Sequence, residues 1–252
     1  MPLILEHDVA GSGQPVVLLH STVCDRRMWD PQWDDLAAQF MVVRCDLRGF
    51  GETPFPPGPF SSAEDVVALL DELGLERIAL VGASGGGRVA LEVATLAPER
   101  VTRLALLSTG VREWEWSEKL RTVWAEEEAL WERGDLAGGA ELMARTWVSP
   151  DAPDDVRDRV REMQLHAYEV QHAAEANGAG EETRRVELEP ELLSMPTLVV
   201  AGLQDLPDFP AIARHLAREM PHATLVELEA GHLPNLERPE VTAKLLLDFL
   251  TA

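Results

Sequence analysis

Six short apolar runs recur along this chain, each bounded by glycine, proline or polar residues. They are "PVVLLH" (15–20), "MVVRCDL" (41–47), "RIALVGA" (77–83), "VTRLALLST" (101–109), "PTLVVAG" (196–202) and "ATLVELE" (223–229). Their length and their β-branched and leucine content predict strands. Several are apolar at nearly every position, the pattern of strands covered on both faces. "LILEHDV" (3–9) alternates more, and the "AGSGQP" after it reads as a hairpin turn.

Between these runs the apolar spacing lengthens to three and four. Ser61 or Ser62 caps a predicted helix that runs to Leu73 and closes at Gly74. Further helices are predicted from Ser84 to about Leu96, from about Phe209 to Met220 and from about Pro239 to Leu250. Alternation of this kind predicts an α/β fold, a mostly parallel sheet with helices on both faces.

Residues 111–190 break the alternation. Trp116, Leu120, Trp124 and Trp131 fall at helical spacing, and Val156, Val160, Met163, Ala167, Val170 and Ala174 make an apolar stripe. This segment predicts an inserted helical cap, or lid. The core domain would then comprise residues 1–110 and 191–252. "NGAGEE" (177–182) reads as a flexible connection. Five of the seven tryptophans lie in the cap, and their spacing assigns most of them to packing; Trp147 is the least regular and is a pocket candidate.

Composition narrows the function. A length of 252 residues suits one domain carrying an insertion. The net charge of -22 argues against binding nucleic acid or an anionic membrane. No apolar run is long enough to span a bilayer, and Met1–His20 lacks a signal-peptide pattern. Cys24 and Cys45 are the only cysteines, too few for a disulfide scaffold or a thiolate metal site, so a cytoplasmic location is expected.

The chemistry centres on "VGASGGG" (81–87), where Gly82, Ser84 and Gly86 spell G-x-S-x-G between a strand and a helix. That context makes Ser84 a candidate nucleophile at a sharp turn, with the helix N-terminus aimed at the same point. A serine needs a base. His232, in "AGHLPNLERP" after the last strand, is the candidate; His20 is expected to order a loop instead. The base needs an acid to hold its tautomer. Asp205 in "VVAGLQDLPD" is favoured over Asp208, which is free to cap the next helix. Oxyanion donors are expected from the backbone amides of Gly85 and Thr22, with Val23 the neighbouring alternative to Thr22. Ser21, Val23 and Trp147 are candidate pocket residues. Asp46 and Arg48 in "CDLRGFG" read as a loop pair. The cap holds ten basic against twenty acidic residues, so an anionic substrate would need a local arginine such as Arg88, Arg121 or Arg145.

Together, "LLHSTVCDRRMWDPQW", "CDLRGFGETP", "VGASGGGRVALEVATLAPERV", "VVAGLQD" and "AGHLPNLERP" resemble the α/β-hydrolase superfamily over nearly the whole chain. "RMWDPQ" and "DLRGFGETP" look most like bacterial capped esterases and enol-lactonases of the 3-oxoadipate type. The resemblance implies Ser84, Asp205 and His232 as triad and Gly85 and Thr22 as oxyanion donors. It also marks departures. Ser21 stands where the family usually has glycine. Leu233 stands where hydroxynitrile lyases carry lysine, and Ser84 stands where dehalogenases and epoxide hydrolases carry aspartate.

The expectation is a serine hydrolase acting on a small-molecule carboxylic ester or lactone through an acyl-enzyme. No metal or organic cofactor is implied, nor a nucleic-acid or membrane partner, and a monomer or homodimer is expected. The alternatives are a slow or non-catalytic ligand-binding protein on the same fold, or a cofactor-free perhydrolase or carbon–carbon hydrolase using the same triad.

Overall fold

The computed structural model describes residues 3–182 and 186–252. Seven strands make the main sheet: β1 (His7–Gly11), β2 (Pro15–Leu19), β3 (Met41–Cys45), β5 (Ile78–Ala83), β6 (Val101–Leu107), β8 (Thr197–Gly202) and β9 (Ala223–Leu228). Their spatial order is β1-β3-β2-β5-β6-β8-β9, parallel throughout except for β1. A second sheet pairs β4 (Gly58–Phe60) with β7 (Ala179–Glu182). The helices are α1 (Asp30–Ala37), α2 (Ser62–Glu72), α3 (Gly85–Leu96), α4 (Glu118–Glu132), α5 (Leu136–Trp147), α6 (Asp154–Glu175), α7 (Asp208–Glu219), α8 (Pro234–Glu237) and α9 (Pro239–Thr251). None of those described is long and apolar enough to cross a membrane.

The two-residue period of the strands divides the interior. Val16, Leu18, Val42, Val81 and Leu107 face one side and pack with Leu36 of α1 and Leu246 and Leu250 of α9. Val17, Leu19, Val43, Leu80 and Leu106 face the other and pack with Leu69 of α2, Val89 of α3 and Ile212 of α7. Strands buried on both faces have no polar side to show, which explains their unbroken apolar runs. Helix α2 starts and stops as its sequence dictates. The Ser61 side chain accepts from the Glu64 amide, and Gly74 follows at a φ of 64°.

Several expectations need correction. β1 begins at His7 rather than Leu3, and "AGSGQP" does not close a hairpin. β2 is flanked by β3 and β5, so the free edge that β1 pairs with, in antiparallel sense, belongs to β3. "NGAGEE" is not a simple connection, because Ala179–Glu182 pairs with Gly58–Phe60. Asp46 and Arg48 do not pair with each other. Asp46 accepts from the Arg26 and Glu52 amides and from the Arg26 guanidinium. Arg48 makes a two-pronged bond to Asp65, 2.8 Å at both Nε and Nη2.

The Arg48–Asp65 pair is buried on both sides. Asp65 also accepts from the Leu3 amide at 2.7 Å. Removing one partner leaves the other charge without compensation in the interior. Arg48→Met is therefore expected to lower stability by about 3–5 kcal/mol, as read from urea denaturation. A midpoint equal to wild type would show that the pair contributes nothing.

Candidate active site

The parallel strands end at one edge of the sheet, and the candidate residues gather there. Ser84 directly follows β5 and starts the reversal into α3. Its backbone is left-handed, at φ 52° and ψ -116°, which is strained for a residue with a side chain. The turn closes because its neighbours are glycines. A Cβ on Gly86 would lie 2.3 Å from the His20 carbonyl oxygen, and one on Gly82 would lie 2.4 Å from that of Gly86.

His232 lies in the loop after β9, and Asp205 in the loop after β8. Ser84 Oγ donates to His232 Nε2 at 2.7 Å. His232 Nδ1 donates to Asp205 Oδ2 at 2.7 Å. A carboxylate only accepts, so the imidazole proton sits on Nδ1 and Nε2 is free to accept from the serine. Asp205 is itself oriented, because its Oδ1 accepts from the Leu206 amide at 2.6 Å. The His232 and Asp205 side chains are 2% and 1% exposed. Asp208 is drawn elsewhere: it accepts from the amide and hydroxyl of Ser117, at 2.7 and 2.6 Å, at the start of α4.

The residues that carry the two candidate oxyanion amides line one cavity with the serine. Gly85 opens α3, where the first N–H groups have no partner within the helix. The Thr22 side chain lies against it, 2.4 Å from where a Gly85 Cβ would be. Of the two neighbours weighed for the second donor, the Val23 amide already donates to Ser21 Oγ at 3.4 Å. His20 holds the loop beneath. Its Nε2 accepts from the Leu47 amide and its Nδ1 donates to the Ser21 carbonyl, both at 2.8 Å. Full burial keeps its pKa below the ordinary value, though Asp46 pulls the other way. A neutral ring with a fixed tautomer is what those two bonds require.

A cavity of about 220 Å³ opens onto Ser84, His232, Gly85 and Thr22. Val23, Trp147 and Phe209 are on its wall. Trp147 and Phe209 flank the imidazole, with ring centroids 4.4 and 4.3 Å from that of His232. The pocket assignment of Ser21 is corrected: Ser21 does not line this cavity and is completely buried, with its amide on the Met28 sulfur. Arg88 lines the cavity and is joined by Arg112, while Arg121 and Arg145 do not line it. No cluster of His, Cys, Asp or Glu suited to a metal ion occurs among the described residues.

The family model for the alpha/beta hydrolase fold matches residues 14–239. The chain belongs to the α/β-hydrolase family. It is 28% identical over 218 residues to 3-oxoadipate enol-lactonase 2 of Acinetobacter baylyi, covering 84% of this chain and 79% of that one. Among solved structures it resembles the enol-lactonase of Burkholderia xenovorans, with a TM-score of 0.84, 28% identity and coverage of 98% and 96%. A thermophilic esterase of Thermogutta terrifontis aligns with a TM-score of 0.81, 33% identity and coverage of 98% and 93%.

One residue of this α/β-hydrolase escaped the sequence reading. Glu237, in "HLPNLERP", folds back through the short helix α8 to grip the loop that carries His232. Its Oε2 accepts from the Gly231 amide at 2.9 Å and its Oε1 from the Leu233 amide at 3.4 Å. The two amides bracket His232, and Glu237 is buried. The only hint in the sequence is an acid five residues after the histidine, which also fits an ordinary helix start. Glu237→Ala leaves both buried amides unpaired. It is expected to cost about 2–3 kcal/mol, read as a fall of several degrees in Tm. An unchanged Tm would show that the loop is held by other contacts.

Proposed function

We propose that this protein is a serine hydrolase that cleaves a small carboxylic ester or lactone. The observation that carries the reading is the continuous hydrogen-bonded line from Ser84 through His232 to Asp205, 2.7 Å at each step. The enol-lactonase and esterase relatives support the same substrate class.

Ser84 Oγ attacks the carbonyl carbon as His232 Nε2 takes its proton. Asp205 holds the ring and stabilises the imidazolium that forms. The tetrahedral oxygen gains negative charge between the Gly85 and Thr22 amides, at the positive end of α3. His232 returns the proton to the leaving alkoxide. Water, deprotonated by the same nitrogen, then releases the acyl group from Ser84. The rings of Trp147 and Phe209 pack against the imidazole and shield it from bulk solvent.

Residues 111–190 act as the cap in this reading. Trp147 ends α5 above His232, and its indole N–H is fixed on the Met143 sulfur at 3.2 Å. The substrate is a small molecule, as a cavity of about 220 Å³ admits a short chain. Cys24 and Cys45 are buried free thiols, which suits a reducing cytoplasm.

A fluorophosphonate probe tests the nucleophile directly. One adduct is expected on the peptide carrying Ser84, absent in Ser84→Ala. Turnover of short esters or lactones should fall by about 10⁴-fold or more in Ser84→Ala, and by about 10⁴-fold in Asp205→Asn. A folded wild type that takes no label, or a Ser84→Ala variant that keeps wild-type turnover, overturns the reading.

A further inference from the structure

Two side chains of the cavity wall, Arg88 and Arg112, form a closed charge cluster with Glu92 and Glu182 behind them. Arg88 Nη1 donates to Glu92 Oε1 at 2.6 Å, and Arg88 Nη2 lies 3.4 Å from Glu182 Oε2. Arg112 Nε donates to Glu92 at 3.1 Å, and Arg112 Nη2 donates to the same oxygen of Glu182. Two arginines meet two glutamates, so the formal charge of the group is zero. Both arginines line the cavity. The other side chains there are largely apolar, with Val23, Val111, Trp116, Trp124, Trp147 and Phe209 among them.

The two glutamates arrive differently. Glu92 lies on α3, fixed by the core, and is 1% exposed. Glu182 comes from β7, at the far end of the helical segment. The pairing of β7 with β4 sets it opposite Phe60, and the Ser62 amide donates to its Oε1 at 3.1 Å. Burial alone would push the Glu182 carboxyl up. The Arg88 charge, the Ser62 bond and the Arg112 bond outweigh burial and hold it below the ordinary range.

We propose that Glu182 is a built-in counter-ion that occupies the guanidinium groups of Arg88 and Arg112, so that the cavity accepts neutral, apolar substrates and turns away those bearing a carboxylate. This inference rests on the hydrolase reading above. An incoming carboxylate must displace one that is tethered beside both arginines, and tethering gives Glu182 a high effective concentration. A substrate anion that fails to displace it finds both guanidiniums already neutralised and gains no ion pair to offset the loss of its hydration. The acid excess of residues 112–190, ten basic against twenty acidic, adds to the repulsion.

Dimethyl succinate and monomethyl succinate differ by one methyl group and one charge. Each is to be measured as a substrate in a pH-stat and as a competitor that slows fluorophosphonate labelling of Ser84. The wild type is expected to favour the neutral diester at least thirtyfold in kcat/KM and in protection from the label. Glu182→Gln leaves two guanidiniums sharing the single carboxylate of Glu92, a net charge of plus one, and is expected to narrow that preference tenfold or more. Arg112→Ala leaves an excess of acid and is expected to widen it. The opposed directions separate electrostatic selection from a general loss of packing. If Glu182→Gln does not fold, the Arg112→Ala arm decides alone. A wild type that treats the two esters alike, or a ratio unmoved in both variants, overturns this inference while leaving the nucleophile in place. A wild type with no adduct on Ser84 overturns the hydrolase reading, and this inference with it.

Discussion

The close approach of α3 to the end of β2 is the contact on which the rest of the site depends. Helix α3 begins one residue after Ser84, so the chain must reverse within a single left-handed residue. That conformation costs about 1–3 kcal/mol. It is held because β5 is buried along its whole length and the Ser84 amide is tied to the Leu107 carbonyl at 2.8 Å. Gly86 then touches the carbonyl oxygens of Leu19 and His20 closely enough to exclude any side chain. This contact brings the start of the helix beside the loop after β2. The serine, the helix end and the Thr22 loop are therefore one packed object.

The second organising feature is the economy of residues 205–209. Asp205 reaches His232, Asp208 ties the start of α4 through Ser117, and Phe209 packs against the imidazole. One short stretch thus orients the ring, shields it and joins the helical segment to the core. Glu237 adds to this by holding the amides before and after His232. A ring restrained on so many sides has little freedom left to lose, and its burial strengthens each polar contact it makes.

Much of this was legible in the sequence. Parallel strands covered on both faces must be apolar at successive positions, and so β2, β5, β6 and β8 stood out. The placement of the candidates Ser84, Asp205 and His232 at one edge of the sheet is legible because each follows a strand within a few residues. β1 was misread because alternation predicts a half-buried strand without naming its partner. β4 and β7 were missed because strands of three and four residues carry too little pattern. The charge cluster was hidden for a different reason. Arg88 and Glu92 are one helical turn apart, but Arg112 and Glu182 join them only through tertiary structure. Ser21 reads as a pocket residue because it stands in place of the usual glycine in the loop after β2, beside Thr22, whereas its side chain turns back to accept from the Val23 amide.

The β4–β7 sheet also bears on how the molecule is assembled. It links stretches about 120 residues apart, as the Ser62–Glu182 bond does. Closing so long a loop has a large entropy cost until the intervening strands and helices have formed. A contact between such distant stretches is expected to form after more local ones. A late contact acts chiefly on the rate at which the native state comes apart. By that rule the strand that carries Glu182 is expected to act as a clasp, slowing the opening of the helical segment rather than hastening its formation.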